Sequence, residues 1–544
     1  MSLAAATEQR TFQGRAAAPG LAAGPLVVLA DTEEVRREAG SAETEAAALR
    51  EALESAVSEL SLLVAETEGE GGDILAFQLA LAEDEVLSDP AFAAIAAGRD
   101  AVTAWCDAVA TVAADYAAAE EEYFRARAAD LDDLSARVVR LLAGGAGDQD
   151  LPAGAILLAR DLPPSRFLAA RWEGGGVALI EGSPTSHVAI LARARGVPMV
   201  VGLGAAAAAL AEEDGPPALL DGDSGLLTVR PEAQTVAAFH GREAAAAEEA
   251  MQDRAVRNGP AVTAEGEAVS VLINVGDPAE LDAVDPAWTD GIGLVRTEFL
   301  FQGRGGRLPD EAEQLAVYRR ILAWAAPRPV TIRTLDAGGD KPIPGYTPTG
   351  ESNPFLGLRG VRLSLAHPEV FRVQLRALLR AATAGNLQVM VPMVSLPQEM
   401  EAVRALLDEA ADSLMAEGQA WARPALGMMV EVPAAALTIA DFDADFLSIG
   451  SNDLVQYLMA AGRDVAGVAA LADPATPAFE RTLRLIVEAA RAKGVPLSLC
   501  GDAGGEPRLL PLLLGAGLRS VSVAPPLIGR VKRAIAGWSG TRGR

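Results

Sequence analysis

The sequence predicts a multidomain α/β protein in which a small α/β unit with an inserted helical bundle is followed by a (β/α)8 barrel. Three observations carry this prediction. The 544 residues exceed what one hydrophobic core organises, so two or three domains are expected. Residues 31–143 are rich in Ala and Glu at helical spacing, whereas short β-like runs flank them. Beyond residue 258, apolar β-rich runs alternate with helical stretches, which favours parallel strands.

The α/β unit is predicted to combine residues 1–30 with residues 144–230. Short apolar runs bounded by Gly and Pro predict its strands. These runs are 25–29, 155–158, 176–180, 198–201 and 226–229. The helical block 31–143 is therefore expected to be an insertion after the first strand. Residues 231–258 form one Ala- and Glu-rich helix, which we expect to act as a linker.

Within the helical block, apolar residues recur at helical spacing, as at Leu49, Leu53 and Leu60. The segments Gly69–Gly72 and Ser88–Pro90 interrupt this pattern, which predicts several helices packed as a bundle. We expect most of the charged residues of the block to form a solvated face.

Residues 259–544 have the length typical of a (β/α)8 TIM barrel. Eight apolar runs separated by helical stretches predict its strands. They are 269–275, 291–296, 330–334, 387–392, 426–432, 446–449, 496–499 and 520–523. A doubly wound open sheet is the competing arrangement, because it also alternates parallel strands with helices.

Composition and charge exclude several classes of function. The formal net charge of −28 argues against general nucleic-acid binding and leaves no basic patch for a membrane surface. The two cysteines, Cys106 and Cys500, are too few for a disulfide framework, which indicates a reducing compartment. No basic N-terminal segment precedes an apolar core, and the longest apolar run is shorter than a membrane span. We therefore expect a cytoplasmic protein without membrane insertion.

The stretch around His187 is the most informative local pattern. A Gly-Ser-Pro turn leads through Thr185 and Ser186 into an apolar-periodic run, which predicts a helix that starts at His187. Unpaired backbone N–H groups at a helix start stabilise an anion, such as a phosphorylated imidazole. An ordinary histidine beside a capping turn is the alternative, although the chain has only three histidines.

Ionisable or reactive side chains follow five of the eight predicted barrel strands, where barrel enzymes carry their catalytic residues. These endings are Arg296-Thr-Glu298, Arg333 followed by Asp336 to Lys341, Glu431, Ser451-Asn452-Asp453 and Cys500-Gly-Asp502. Arginine forks bind phosphate or carboxylate, and two carboxylates with a substrate phosphate commonly hold Mg²⁺. The set therefore predicts a phosphoryl-transfer site with Glu431 and Asp453 as magnesium ligands. Structural salt bridges on the rim, and a core role for Cys500, are the alternatives.

Eight motifs occur in the same order as in one known enzyme family. They are PTSHVAILAR around His187, GIGLVRTEFLF (291–301), RTLDAGGDKP (333–342), NPFLGLRG (353–360), MVPMV (390–394), GMMVEVP (427–433), SIGSNDLVQY (448–457) and LCGDAGG (499–505). Over nearly the whole chain, this set resembles the phosphoenolpyruvate–protein phosphotransferase family, Enzyme I of the bacterial sugar phosphotransferase system. The TSH motif alone would fit several related families.

The resemblance implies a reaction and a role for each matching residue. His187 would accept the phosphoryl group of phosphoenolpyruvate on Nε2 and pass it to a histidine of the small phosphocarrier HPr, while pyruvate is released. Cys500 would protonate the methylene carbon of the enolate. The implied binding residues are Arg296, Arg333, Asn452, Asp453 and Arg463 for the substrate, and Glu431 and Asp453 for Mg²⁺, the expected cofactor. Arg359 and Lys341 lie in matching stretches and would line the site.

The resemblance also implies the tasks of the domains. The α/β unit would be the phosphohistidine domain, the helical block would dock HPr, and the barrel would bind phosphoenolpyruvate and form a homodimer. The chain departs from the family pattern around Arg463 and after Cys500, where Asp502 follows Gly501. Gln78 stands where the family commonly has a histidine.

Two other functions are compatible with parts of the sequence. A pyruvate phosphate dikinase or phosphoenolpyruvate synthase shares the histidine domain and the barrel, but it also needs an ATP-binding domain. The first 150 residues contain no Gly-rich phosphate loop. The second alternative is a non-catalytic regulator that docks a carrier through the helical block. The presence of Glu431, Asp453 and Cys500 argues against it.

Overall fold

The computed structural model divides into two compact units, Met1–Ala244 and Ala245–Arg544. The structure describes residues 8–29, 40–67, 70–118, 122–144, 152–184, 186–212, 215–301, 307–339, 341–462 and 465–540. Each unit buries its own apolar side chains in separate hydrophobic clusters. Two or more domains are therefore present, as the chain length predicts.

One mixed eight-stranded sheet organises the first unit. Its strands are β1 (Arg10–Gln13), β2 (Arg15–Ala18), β3 (Leu21–Val28), β4 (Ile156–Ala159), β5 (Gly176–Leu179), β6 (Met199–Val201), β7 (Pro217–Asp221) and β8 (Leu226–Val229). They lie in the order β1-β8-β7-β3-β4-β5-β6-β2. The central strands β3 to β6 are parallel, and the outer pairs are antiparallel.

The sequence prediction omits β1, β2 and β7 of this sheet. β1 alternates between half-buried and exposed positions, and β2 consists mainly of alanine, so neither forms a continuous apolar run. β7 begins at Pro217, and the preceding proline made the segment resemble a loop. All three strands pair only antiparallel with their neighbours, where weaker apolar patterns suffice.

Five helices lie between β3 and β4 in chain order. They are α1 (Ala42–Glu66), α2 (Glu70–Glu83), α3 (Glu85–Ala96), α4 (Ala101–Ala117) and α5 (Glu122–Leu142). Leu49 and Leu60 are fully buried among them, as their spacing predicts. The side chains of Ser41 and Asp100 accept backbone N–H groups at the starts of α1 and α4.

The predicted interruption at Ser88–Pro90 is wrong. Helix α3 continues through Pro90, and the chain instead breaks before it at Asp84, whose side chain accepts the N–H of Val86. Because a proline lacks one N–H, Pro90 removes a single hydrogen bond near the start of the helix. The buried residues Leu87 and Ile95 hold the helix against the bundle despite this loss.

The first unit also contains α6 (Pro164–Ala169), α7 (His187–Arg195) and α8 (Ala205–Ala208). Helix α7 begins at His187, as the sequence predicts, and the Ser186 side chain accepts the N–H of Ala189. Gly196 ends this helix in the left-handed conformation, with φ of 66°. Helix α9 (Ala233–Val256) occupies the segment predicted as a linker helix.

The second unit contains a closed barrel of eight parallel strands. They are β9 (Ser270–Val275), β10 (Ile292–Val295), β11 (Val330–Arg333), β12 (Leu387–Val391), β13 (Ala425–Val430), β14 (Leu447–Ile449), β15 (Leu497–Leu499) and β16 (Ser520–Val523). Strand β16 pairs in parallel with β9 and thereby closes the sheet. Every predicted run overlaps one of these strands, and only β13 begins one residue outside its run. The barrel is therefore confirmed and the open doubly wound sheet is excluded.

Helices surround the barrel. They are α10 (Glu311–Ala325), α11 (Val361–Ala366), α12 (Pro368–Ala381), α13 (Pro397–Ala416), α14 (Pro433–Leu437), α15 (Ser451–Met459), α16 (Pro477–Lys493), α17 (Leu510–Gly515) and α18 (Ile528–Ala536). Four of them begin at a proline, whose fixed φ suits the first helical turn. The interior of the barrel is a packed core of Leu294, Met390, Met429, Phe446 and Cys500. Among the described residues, no helix combines the length and the apolar character that crossing a bilayer requires.

Candidate active site

Charged side chains gather at the mouth of the barrel, which is the rim formed by the carboxyl ends of its strands. Arg333 is the last residue of β11, and Glu431 directly follows β13. Asp453 lies in the first turn of α15, which follows β14. Because all strands of a closed parallel barrel end on one rim, these segments meet although they are far apart in sequence.

Five of the charged residues form a continuous ion-pair chain across the mouth. Arg333 Nη2 donates to Glu298 Oε1 at 3.0 Å, and Arg333 Nη1 lies 3.0 Å from Asp336 Oδ2. Arg359 Nη2 donates to the same Asp336 oxygen at 3.0 Å. The Arg359 guanidinium also reaches the Asp453 carboxylate at 3.4 Å. All five side chains are buried, so they compensate one another's charge where water is scarce.

The pKa values along the ion-pair chain follow from this pairing. Burial alone would raise the pKa of Asp336, but the cations Arg333, Arg359 and Lys341 outweigh it and lower the pKa to about 2. Burial opposes the charge of Arg333 and Arg359, yet the surrounding carboxylates raise the pKa of both guanidinium groups. These three groups therefore stay charged at neutral pH.

Glu431 is a buried carboxylate beside this chain, with 1% of its surface exposed. Its Oε1 accepts the backbone N–H of Met393 at 2.6 Å. Burial, followed by the negative charges of Asp453 and Asp336, raises the pKa of Glu431 to about 8. A Cβ on Gly450 would lie 2.7 Å from Glu431 Oε2, so the glycine leaves that oxygen room for a ligand.

The backbone at Met393 is strained where it meets Glu431. Met393 has φ of 58°, in the left-handed region that residues other than glycine rarely adopt. Strain of this kind is found mostly where the surrounding structure needs a special geometry, as in active sites. Here it directs the Met393 N–H at the carboxylate of Glu431.

Cys500 directly follows β15 and closes the barrel interior below the mouth. It is 3% exposed, and its Sγ donates to the backbone oxygen of Ile449 at 3.7 Å. Burial raises the pKa of the Cys500 thiol to about 11. The thiol is therefore protonated at neutral pH, and both predicted interpretations, a core residue and a proton donor, are compatible with its position.

A cavity of about 330 Å³ opens on the other side of the mouth, above β9, β15 and β16. Arg296, Asn274, Glu280, Gly501 and Asp502 are among the residues that line it. The half-buried guanidinium of Arg296 has no hydrogen-bond or ion-pair partner within the described ranges. This volume suits a small ligand. Arg296 offers it a guanidinium without an ion pair to any described residue, beside the carboxylates of Glu280 and Asp502 in the same lining.

Asn452 and Asp502 form a reciprocal pair at the edge of the cavity. Asn452 Nδ2 donates to Asp502 Oδ2 at 2.9 Å, and the Asp502 N–H donates to Asn452 Oδ1 at 2.9 Å. The pair fixes which end of the amide faces Asp502. It joins the segments that follow β14 and β15.

The structure brings most of the predicted site residues to one mouth, but in two groups. Arg333, Glu431 and Asp453 belong to the charged side, whereas Arg296 and Asn452 belong to the cavity side. Lys341 is half-buried near the charged side, and burial together with Arg333 lowers its pKa. Arg463 and the side chain of His187 lie outside the described part of the chain.

Sequence reasoning assigned no role to three residues that organise this site. Glu298 and Asp336 stand in the strand-end segments, but nothing in the sequence shows that they hold Arg333. Tyr457 lies at the far end of the ion-pair chain, where its hydroxyl donates to the backbone oxygen of Phe355 at 2.6 Å. The pairings of Glu298 with Arg333 and of Tyr457 with Phe355 join residues distant in sequence and have no local signal.

Within the described residues, no group of three or more His, Cys, Asp or Glu side chains is arranged as a metal site. The two predicted ligands, Glu431 and Asp453, are both buried at the mouth. Two carboxylates completed by a substrate phosphate and water are the usual magnesium site. The donor set therefore fits Mg²⁺ better than a metal that needs a full protein cage.

The loop that precedes His187 in the first unit is held by two arginines. Arg15 Nη2 donates to the Gly182 carbonyl at 2.8 Å. Arg193 Nη1 donates to the carbonyls of Pro184, at 2.9 Å, and of Ala17, at 2.5 Å. These contacts tie the loop to β2 and set the direction in which α7 begins.

Gln78, which departs from the pattern of the resembling family, is fully buried in the helical block. Its Nε2 donates to Asp133 Oδ2 at 2.9 Å, and Asp133 also accepts the hydroxyl of Ser165 at 2.7 Å. Gln78 and Ser165 therefore share Asp133 as a hydrogen-bond acceptor, which links the helical block to α6 inside the first unit.

Three family models match the chain in sequence. The model of the PEP-binding domain of PEP-utilising enzymes matches residues 250–539. The N-terminal model of these enzymes matches residues 13–127, and the mobile-domain model matches residues 151–225. The matched residues include the barrel, most of the helical block and the segment that carries His187.

Curated relatives extend this similarity over most of the chain. A phosphoenolpyruvate-protein phosphotransferase of Streptomyces coelicolor is 39% identical over 92% of this chain and 88% of its own length. One from Bacillus subtilis is 38% identical over 74% of this chain and 72% of its own. A multiphosphoryl transfer protein of Rhodobacter capsulatus is 38% identical over 98% of this chain, which spans 64% of that longer protein.

Proposed function

Because the chain belongs to the phosphoenolpyruvate-protein phosphotransferase family, we propose that it transfers the phosphoryl group of phosphoenolpyruvate to His187. Pyruvate is released in this step, and the phosphoryl group then passes to a histidine of an HPr-type phosphocarrier. The chain is an enzyme, and its relatives do not favour the dikinase-like or the non-catalytic alternative.

The observation that carries the site assignment is the contrast between Arg296 and its charged neighbours. Arg296 lines the 330 Å³ cavity and lacks a partner among the described residues. An acidic chain of net charge −28 needs such a local cation to hold a polyanionic substrate. Arg296, Arg333, Asn452, Asp453 and Arg463 are the proposed substrate-binding residues.

The proposed reaction breaks the bond between phosphorus and the enol oxygen and forms one between phosphorus and an imidazole nitrogen of His187. A neutral imidazole carries a nitrogen lone pair that can attack phosphorus, so in this form His187 needs no activating base. The enolate that leaves takes a proton at its methylene carbon. We assign this proton to the Cys500 thiol, which burial keeps protonated at neutral pH.

Mg²⁺ is the proposed cofactor, with Glu431 and Asp453 as its protein ligands. Burial, and after it the negative charge of Asp453, raises the pKa of Glu431, and a divalent cation between the two carboxylates would compensate that negative charge. The space that Gly450 leaves beside Glu431 Oε2 supports the same assignment. When bound, the cation would neutralise charge on the phosphoryl and enolate oxygens.

The proposal assigns a task to each segment. Residues 1–30 and 144–230 would form the phosphohistidine domain, 31–143 the carrier-docking block, 231–258 the linker, and 259–544 the phosphoenolpyruvate-binding barrel. The first two match the N-terminal and mobile-domain models in part. Dimerisation through the barrel, which the family resemblance implies, and a cytoplasmic location, which the composition favours, belong to the same proposal.

The test is to incubate the full chain with labelled phosphoenolpyruvate and Mg²⁺, with and without candidate HPr-type carriers. We expect an acid-labile phosphohistidine at His187, one pyruvate per phosphoryl group, and onward transfer to a carrier. Omission of Mg²⁺ should stop both products. Labelling by ATP instead of phosphoenolpyruvate would support the dikinase-like alternative.

His187→Ala should abolish labelling, and His240→Ala is the matched control. The His240 ring is exposed and contacts Glu243 at 2.6 Å on the surface of α9, so its loss should leave labelling unchanged. Full labelling of the His187 variant would refute the assignment of the nucleophile.

A further inference from the structure

Gln374, on the outer helix α12, is buried beneath the mouth with 2% of its surface exposed. Its Oε1 accepts the backbone N–H of Leu335 at 3.0 Å. Its Nε2 donates to Thr297 Oγ1 at 3.4 Å and to the Tyr318 hydroxyl at 3.2 Å. One side chain outside the barrel therefore contacts the segments that follow both β10 and β11.

These contacts hold the backbone directly after Arg333. The Thr297 hydroxyl donates to the backbone oxygen of Arg333 at 3.0 Å, and Leu335 lies two residues further along the chain. Glu298 meanwhile holds the guanidinium at 3.0 Å. Gln374 thus secures the backbone that leads out of Arg333 at two points, through Thr297 at the Arg333 carbonyl and directly at Leu335, while Glu298 secures the side chain.

The amide of Gln374 can satisfy these partners in only one orientation. The N–H of Leu335 is a donor, so Oε1 must face it. The Tyr318 hydroxyl donates to Gln314 Oε1 at 3.0 Å, which leaves the phenol oxygen to accept Nε2. Gln314 in turn donates to the carbonyl of Pro309 at 3.1 Å. Donation therefore runs in one direction, from the Leu335 N–H at the mouth through Gln374 to the α10 side chains and the Pro309 carbonyl.

We propose that Gln374 is a positioning residue for phosphoryl transfer, acting through the placement of Arg333. This inference rests on the proposed function, in which Arg333 binds the substrate. A shift of about 1 Å in a substrate-binding group can cost about 100-fold in rate. A glutamine more remote from the chemistry than Arg333 therefore contributes to catalysis without contact to the substrate.

The test is Gln374→Met in the full chain, since methionine has a similar length but cannot accept the N–H of Leu335. We expect kcat/KM for phosphoenolpyruvate to fall about tenfold or more. The same change in an Arg333→Lys background should add less than about threefold, because coupled residues are not additive. If Gln374 had a purely structural role, the fold reductions in kcat/KM of the two single variants would instead multiply in the double variant.

Gln388→Met is the matched control. Gln388 Oε1 accepts the hydroxyl of Thr331 at 3.0 Å, near the amino end of β12 and away from the mouth. This variant should keep kcat/KM within about threefold of the wild type, as expected for a change remote from the site. A loss equal to that of Gln374→Met would overturn the proposal.

Tyr318→Phe keeps the test decisive if Gln374→Met does not fold. It removes only the hydroxyl that joins Gln314 and Gln374, and it should lower kcat/KM in the same non-additive way. If Gln374→Met folds, unchanged kcat/KM in that variant refutes the positioning role. If Gln374→Met does not fold, unchanged kcat/KM in Tyr318→Phe refutes it. Failure of the wild type to form phosphohistidine refutes the proposed function itself.

Discussion

The two sides of the barrel mouth present their arginines differently. On the charged side, Arg333 is buried and paired with Glu298 and Asp336, each at 3.0 Å. On the cavity side, Arg296 is half-buried and lacks a partner among the described residues. The charged side is thus assembled before any substrate arrives, whereas the cavity side offers its charge to the substrate.

The charged side therefore serves to hold the site in a fixed geometry, whereas the cavity side serves to bind the substrate. A buried pair that compensates itself adds little net attraction for a ligand, but it holds each group in a fixed direction. An unpaired arginine in a cavity gains its first strong partner from the ligand. Mutations on the charged side should therefore lower the free energy of unfolding more than mutations on the cavity side do. Mutations on the cavity side should lower activity without lowering stability.

The largest effect is expected for Cys500→Ala, at the strand end that leads into the cavity side. Loss of a general acid typically slows the reaction about 100- to 10,000-fold. Pyruvate release, measured under single turnover, should fall by this amount while the thermal unfolding transition stays cooperative. Turnover equal to the wild type would assign Cys500 to the packed interior alone.

The pH dependence sharpens this prediction. The protonated thiol is the active form, and burial raises the pKa of Cys500 to about 11. Activity should therefore show no loss attributable to Cys500 between about pH 7 and 9.5, because the thiol still holds its proton there. Iodoacetamide should accordingly leave Cys500 unlabelled at pH 8 in the folded protein and label it after unfolding.

The next effect tests the charged side. Asp336→Ala removes the buried carboxylate that Arg333 and Arg359 share at 3.0 Å, and we expect a loss of about 3–5 kcal/mol in the free energy of unfolding. Urea unfolding of the barrel, followed by tryptophan fluorescence, measures it. Asp502→Ala on the cavity side is the control, since Asp502 is exposed. Equal losses in both variants would remove the distinction between the two sides.

The smallest effect is expected for Arg296→Ala. A lost hydrogen bond to a charged group costs about 1.5–3 kcal/mol, so kcat/KM for phosphoenolpyruvate should fall about 10- to 100-fold. The unfolding transition should not move, because no described carboxylate loses its partner. Arg333→Ala should lower both activity and stability. A destabilised Arg296 variant with normal kcat/KM would contradict the assignment of the cavity as the substrate site.

Local patterns were sufficient for most of the fold. Most residues of the barrel strands are buried, so the strands appear as apolar runs, and each of the eight predicted runs overlaps one strand. The helix start at His187 is likewise local, because its turn and its Ser186 cap are adjacent in sequence. The sequence analysis did not predict β1, β2 and β7, because these strands are stabilised by pairing with neighbouring strands.

The sequence by itself determined the family, the barrel and the segments that end at its mouth, because apolar periodicity and motifs are properties of neighbouring residues. Only the tertiary structure decided which charges compensate one another. Glu298 and Asp336 engage Arg333, while Arg296 is left to the cavity. It also placed Gln374 beneath Arg333. Hydrogen bonds and pKa shifts depend on distances through space, and residues tens of positions apart carry no sequence mark of meeting.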